Sequence, residues 1–150
     1  MSAADAGGSG VVEGACLCGA VRVTLPEAVA TTDACHCGMC RTLCGGGPML
    51  ALHAPGGAKP KVVGEDHLTV YRSSDWAERA FCRVCGTPVW YRFIEHDFHS
   101  MAAGLFDAST LTLTREIFIE DKPALYDLAG ERPRLTEEQV IAAFNSEAGA

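Results

Sequence analysis

Alternation of apolar and polar side chains is the first regularity along the chain. Residues 20–25 (AVRVTL) put Val21, Val23 and Leu25 on one face and Arg22 and Thr24 on the other. That two-residue period predicts a half-buried strand. Further strands are predicted over 49–53, 68–72, 79–82, 88–94 and 116–120. Turn signals separate them: Gly45-Gly46-Gly47-Pro48, Pro55-Gly56-Gly57, Gly64-Glu65-Asp66 and Gly86-Thr87-Pro88. Only the end of the chain predicts a helix, where Thr136 and Gln139 fit a capping box and Val140, Ile141 and Phe144 share one face. The pattern therefore predicts a mainly β fold of many short strands with a short C-terminal helix. No repeat recurs at a fixed period, so residues 11–150 are expected to form one domain behind a flexible tail over 1–10. The Pro-, Gly- and Lys-rich stretch over 55–61 is expected to be an exposed loop.

Composition narrows the function classes. The 150 residues are 48% hydrophobic and 21% charged, with a formal net charge of −7. An acidic chain is a poor nucleic-acid surface, which needs clustered Lys and Arg. No apolar run approaches the length of a membrane span. The first ten residues lack both a basic and an apolar region, so no secretory signal is expected there, and a reducing cytoplasm is the expected location.

Eight cysteines change the picture most. They cluster as Cys16 and Cys18; Cys35, Cys37, Cys40 and Cys44; and Cys82 and Cys85. A C-x-C pair is too close for a relaxed disulfide, whereas two residues apart on an extended segment face the same way and can meet one ion. Cys82-Arg83-Val84-Cys85-Gly86 is a C-x-x-C-G knuckle whose glycine permits the turn that aims both thiols inward. Pairing it with the first C-x-C gives a four-thiolate site, Cys16, Cys18, Cys82 and Cys85, suited to a structural zinc.

The central cluster has a different character. Cys35, Cys37 and Cys40 offer three thiolates within six residues, followed by Arg41. Three protein ligands leave a fourth zinc position for water or substrate, the arrangement of catalytic sites. His36 lies between two of these ligands and is expected to point to the opposite face. Arg41 is a candidate for an anionic substrate group, or for an ordinary pairing with a neighbouring acid. Three fates are open to Cys44: a fourth thiolate closing the site, a disulfide partner of Cys40, or a buried thiol.

Three ordered motifs carry a family resemblance: Gly14-Ala-Cys16-Leu-Cys18-Gly-Ala-Val21, Cys35-His-Cys37-Gly-Met-Cys40-Arg41, and Phe81-Cys82-Arg-Val-Cys85-Gly86-Thr87-Pro88. Together with Tyr71-Arg-Ser-Ser74, Ile119-Glu-Asp-Lys122-Pro123 and Tyr126-Asp-Leu128, they resemble the glutathione-dependent formaldehyde-activating enzyme (centromere protein V-like) family over about residues 12 to 130. The resemblance implies a β-tent fold of short antiparallel strands with two zinc ions. One is structural, on the first C-x-C and last C-x-x-C; the second, on Cys35, Cys37 and Cys40, is proposed as catalytic. The chain departs from many relatives at Cys44, where they carry Ser or Thr.

The resulting expectation is a zinc-dependent carbon–sulfur lyase. Its substrates would be a small thiol such as glutathione and a small aldehyde such as formaldehyde, joined in S-hydroxymethylglutathione. Cys35, Cys37, Cys40 and Arg41 would form the catalytic set. The alternatives are a non-catalytic zinc module that binds a protein, and a redox sensor working through Cys40 and Cys44.

Overall fold

The computed structural model describes residues 11–26, 29–54 and 57–148. The predicted tail over 1–10, and Pro55 and Gly56 of the predicted loop, lie outside the described residues. Contacts divide the chain into two compact units, each built from two separate stretches. The first takes the described residues within Met1–Ala30 and Leu52–Leu111, the second those within Thr31–Ala51 and Thr112–Ala150.

In the first unit, β1 (Val12–Ala15), β2 (Arg22–Leu25) and β5 (Lys61–Val63) form a three-stranded antiparallel sheet in the order β1-β2-β5. β6 (Leu68–Arg72), β7 (Ala77–Cys82), β8 (Pro88–Phe93) and β9 (Phe98–Ala102) form an antiparallel meander. The alternation at 22–25 does what its period predicts, since Val23 and Leu25 are buried and Arg22 is exposed. With Val21, Leu52, Val89 and Met101 they form a core in which Cys16 and Cys82 are also buried. Burying each aliphatic side chain contributes about 1.5–3 kcal/mol, so these two thiols sit where the unit gains most of its apolar burial.

In the second unit, β3 (Thr31–Cys35) pairs antiparallel with β4 (Met49–His53), whose last two residues belong to the first unit. β10 (Thr112–Ile117) runs parallel to both β3 and β11 (Arg134–Leu135). These parallel pairings add to the expected antiparallel ones. β10 reaches β3 after an excursion of more than seventy residues, so no tight turn imposes an antiparallel return. The described chain is mainly β, as the alternation predicts.

Two α-helices occur among the described residues. α2 (Glu137–Ala148) begins at the predicted capping box: Gln139 Oε1 accepts from the Thr136 amide at 2.8 Å, and Thr136 Oγ1 accepts from the Gln139 amide at 3.2 Å. α1 (Gly38–Leu43) is a single helical stretch through the central cysteine cluster, where sequence periodicity predicts none. Six residues are too few for a hydrophobic period to register.

Candidate metal centres

Each unit gathers one group of thiols. In the first, the sulfurs of Cys16, Cys18, Cys82 and Cys85 all lie within 4.8 Å of one another. Cys16 Sγ and Cys18 Sγ are 3.6 Å apart, and Cys18 Sγ and Cys82 Sγ are 3.8 Å apart. A tetrahedral zinc with Zn–S bonds of about 2.3 Å requires sulfurs about 3.8 Å apart. These two distances match that requirement.

Two glycine turns aim these thiols. Gly86 has φ +79° and donates its amide to Cys82 O at 2.7 Å; Gly19 has φ +81° and donates to Cys16 O at 3.0 Å. The first C-x-C is therefore a turn rather than the expected extended pair, and a left-handed residue closes it as in the C-x-x-C-G knuckle. Cys85 Sγ lies 3.1 Å from Thr87 Oγ1, and that hydroxyl is the main influence lowering the Cys85 thiol to about 5. At Cys18 the Ala20 amide favours the thiolate, yet burial and the thiols of Cys16, Cys85 and Cys82 outweigh it and raise the group to about 11. Four sulfurs in one space disfavour four negative charges unless a cation joins them.

The second unit brings Cys35, Cys37 and Cys40 within 4.8 Å of one another. Cys35 ends β3, Cys37 caps α1 in an extended conformation (φ −62°, ψ 153°), and Cys40 lies one turn along the helix. Here the expected extended C-x-C is present. Cys37 Sγ also accepts from the Cys40 amide at 3.4 Å. The neighbouring Cys37 and Cys40 thiols are the main cause of a strongly raised Cys35 thiol, so three thiolates together here too call for a cation among them. Cys40 is buried while Cys35 and Cys37 are half-buried.

Cys44 does not join the three-thiol group. It caps the C-terminal end of α1, its amide donating to Cys40 O at 2.9 Å. All eight cysteines are free of disulfides. In this structure Cys44 therefore stands outside the 4.8 Å group and forms no disulfide with Cys40.

These positions match a known sequence profile. The profile of the glutathione-dependent formaldehyde-activating enzyme family covers residues 11–121. The chain belongs to that family. The chain is also 31% identical over 131 residues to an uncharacterized lyase of Schizosaccharomyces pombe, covering 86% of this chain and 93% of the other. A Halomonas elongata protein bearing the family's name is 35% identical over 88 residues, 53% of this chain and 55% of that one. In fold, the chain resembles a Rhodobacter sphaeroides protein of known crystal structure, with a TM-score of 0.52 at 22% identity over 81% of this chain and 98% of that one.

The residues around the formaldehyde-activating family's central motif were only partly foreseeable. Arg41 lies on α1 and its Nε donates to His36 O at 3.0 Å. His36 points away from the thiols, as its place between two of them predicts, and is fully buried. Its ring meets Glu116 and Tyr126, from 80 and 90 residues further along. Burial alone would raise the Glu116 carboxyl, but hydrogen bonds from Arg132, His36 and Arg134 bring it down to about 2. Glu116, Arg132 and Arg134 carry no motif. The one signal that could have located partners for His36 is its own need of them on a buried face.

Proposed function

We propose that this protein is a zinc-dependent carbon–sulfur lyase that splits and forms adducts of a small thiol with a small aldehyde, S-hydroxymethylglutathione being the type substrate. The observation that carries this reading is the three-thiol group of Cys35, Cys37 and Cys40, since three protein ligands on a zinc ion would leave its fourth position for a ligand from outside. Membership of the formaldehyde-activating family supports the substrate class, and the S. pombe relative is named a lyase.

Cys35, Cys37 and Cys40 would hold the zinc, whose positive charge would favour the ionised form of a substrate thiol at neutral pH. The chain's own residues do the rest. Cys35 and Cys37, each half-buried, leave the cluster open to a small molecule, while buried Cys40 closes its inner side. Arg41, with its Nε committed to the His36 carbonyl, turns its Nη donors to a glutathione carboxylate, a planar match that lysine lacks. In the splitting direction the C–S bond breaks, its electron pair stays on sulfur, and the adduct's hydroxyl proton passes to solvent as the aldehyde carbonyl forms. Three thiolates already donate charge to the metal, so activation is modest. Cys16, Cys18, Cys82 and Cys85 hold the second, structural zinc. A reducing cytoplasm suits eight cysteines free of disulfides.

The deciding measurement follows exchange between S-hydroxymethylglutathione and free formaldehyde by NMR with purified holoprotein. Exchange above the spontaneous rate is expected, and Cys37→Ser should return it to that rate while keeping one zinc per chain. Holoprotein with two zincs and no acceleration at any concentration tested overturns the reading.

A further inference from the structure

A polar chain runs from His36, which lies between Cys35 and Cys37, and the proposed chemistry gives it no part. His36 and Glu116 are both 0% exposed. His36 Nε2 lies 2.8 Å from Glu116 Oε1, and His36 Nδ1 lies 2.7 Å from the Tyr126 hydroxyl. Glu116 Oε2 accepts from Arg132 Nη1 at 2.7 Å and from Arg134 Nε at 3.1 Å. Arg132 Nη2 in turn donates to Ala129 O. The backbone of His36 is held as well: its amide donates to Ile117 O at 3.1 Å, and its carbonyl accepts from Arg41 Nε at 3.0 Å.

A carboxylate only accepts, so His36 Nε2 carries the hydrogen shared with Glu116. His36 Nδ1 and the Tyr126 hydroxyl share the second hydrogen bond of the ring. Backbone amide, carbonyl and both ring nitrogens of His36 thus have one partner each, and the ring has one orientation.

That orientation matters because of where His36 sits. The cluster occupies six residues, ended by a helix of one and a half turns, too short to hold itself in water. Site geometry has to be kept within about 0.5 Å and 10–20° for a ligand set to work. A buried carboxylate also carries a desolvation cost that an apolar contact would avoid. What the polar chain adds is direction. We propose that Glu116 and Tyr126 are positioning residues for the Cys35–Cys37–Cys40 cluster, acting through His36: they fix its ring, and the fixed residue sets the spacing of the sulfurs on either side. The inference rests on the reading that the cluster holds a metal ion.

Cobalt(II) in place of zinc tests it, because thiolate-to-cobalt bands report each site. Cys37→Ser protein supplies the spectrum of the four-thiol site alone. Chelator-driven cobalt release is then timed at each site in Tyr126→Phe, which removes one hydroxyl, and in Glu116→Gln. Orienting partners of metal sites are typically worth 10–100-fold, so release from the three-thiol site should quicken by about tenfold or more. Release from the four-thiol site should stay unchanged in the same molecules. Equal acceleration at both sites means general loosening of the fold and overturns the proposal, as does no change at either. If Glu116→Gln does not fold, Tyr126→Phe decides alone. Uptake of a single cobalt by the wild-type chain, with the four-thiol spectrum, fails the metal reading and takes the inference with it. Two cobalts with variant-insensitive release fail the inference alone.

Discussion

Replacing Cys82 by serine removes one sulfur from the four-thiol cluster and sets a hydroxyl into the apolar core, where Cys82 is 0% exposed. Structural zinc contributes about 10–16 kcal/mol, or about 3 kcal/mol per ligand when shared over four. A hydroxyl buried without a partner costs about 1–3 kcal/mol more. The sum, about 4–6 kcal/mol, is comparable to the whole net stability of a domain, about 5–15 kcal/mol. For a chain of this size each kcal/mol moves Tm by about 2–4 °C, so Cys82→Ser should melt roughly 10–20 °C below wild type. Cys35→Ser is the control. Cys35 is half-buried and outside the first unit's core, and its co-ligands lie within six residues, so little chain is constrained through it. Its Tm should fall by less than about 5 °C. Thermal melts of zinc-loaded proteins, followed by circular dichroism with metal content measured beforehand, make the comparison. Equal losses, or the larger loss in Cys35→Ser, refute the assignment of the four-thiol site as the one that holds the fold.

Two further predictions concern positions away from the thiols. Lys59 and Arg92 hold the Asp97 carboxyl down at about 2 in the β8–β9 hairpin; a carboxyl depressed in the folded state stabilises above its unfolded value and loses that contribution as pH falls through its folded value. The Tm gap between wild type and Asp97→Asn should therefore be full above about pH 4 and close as pH falls through about 2; a gap independent of pH in acid melts contradicts the pairing. Gly64 has φ +89°, and a Cβ there would lie 2.0 Å from Ala20 O; Gly64→Ala should cost more than the 1–2 kcal/mol or so of a left-handed alanine, and a urea midpoint equal to wild type counts against the turn.

Much of the fold was legible because its period is short. The alternation at 22–25 and the capping box at Thr136 each depend on neighbours in sequence, and both occur as predicted. The first C-x-C was legible as a pair and misread as extended, because the spacing does not reveal that Gly19 turns the chain. α1 was hidden by its length and by the cysteines that fill it. The thiol groups could be read because a shared ion demands a particular residue type at a particular spacing. The Glu116–His36–Tyr126 chain could not: its members are 80 and 90 residues apart, and a glutamate on a strand looks the same whether it faces water or an imidazole.

The two thiol groups also differ in when a growing chain can complete them. Cys35, Cys37 and Cys40 leave the ribosome together, so their group is whole once residue 40 has emerged. The four-thiol group opens with Cys16 and waits for Cys85. During that interval the first two cysteines are an incomplete group beside a complete one, so a metal ion would meet three thiols together first at the trio. The partners of His36 and Glu116 come last of all, with Tyr126, Arg132 and Arg134. The thiol group completed earliest in synthesis is thus the one whose surroundings are completed latest.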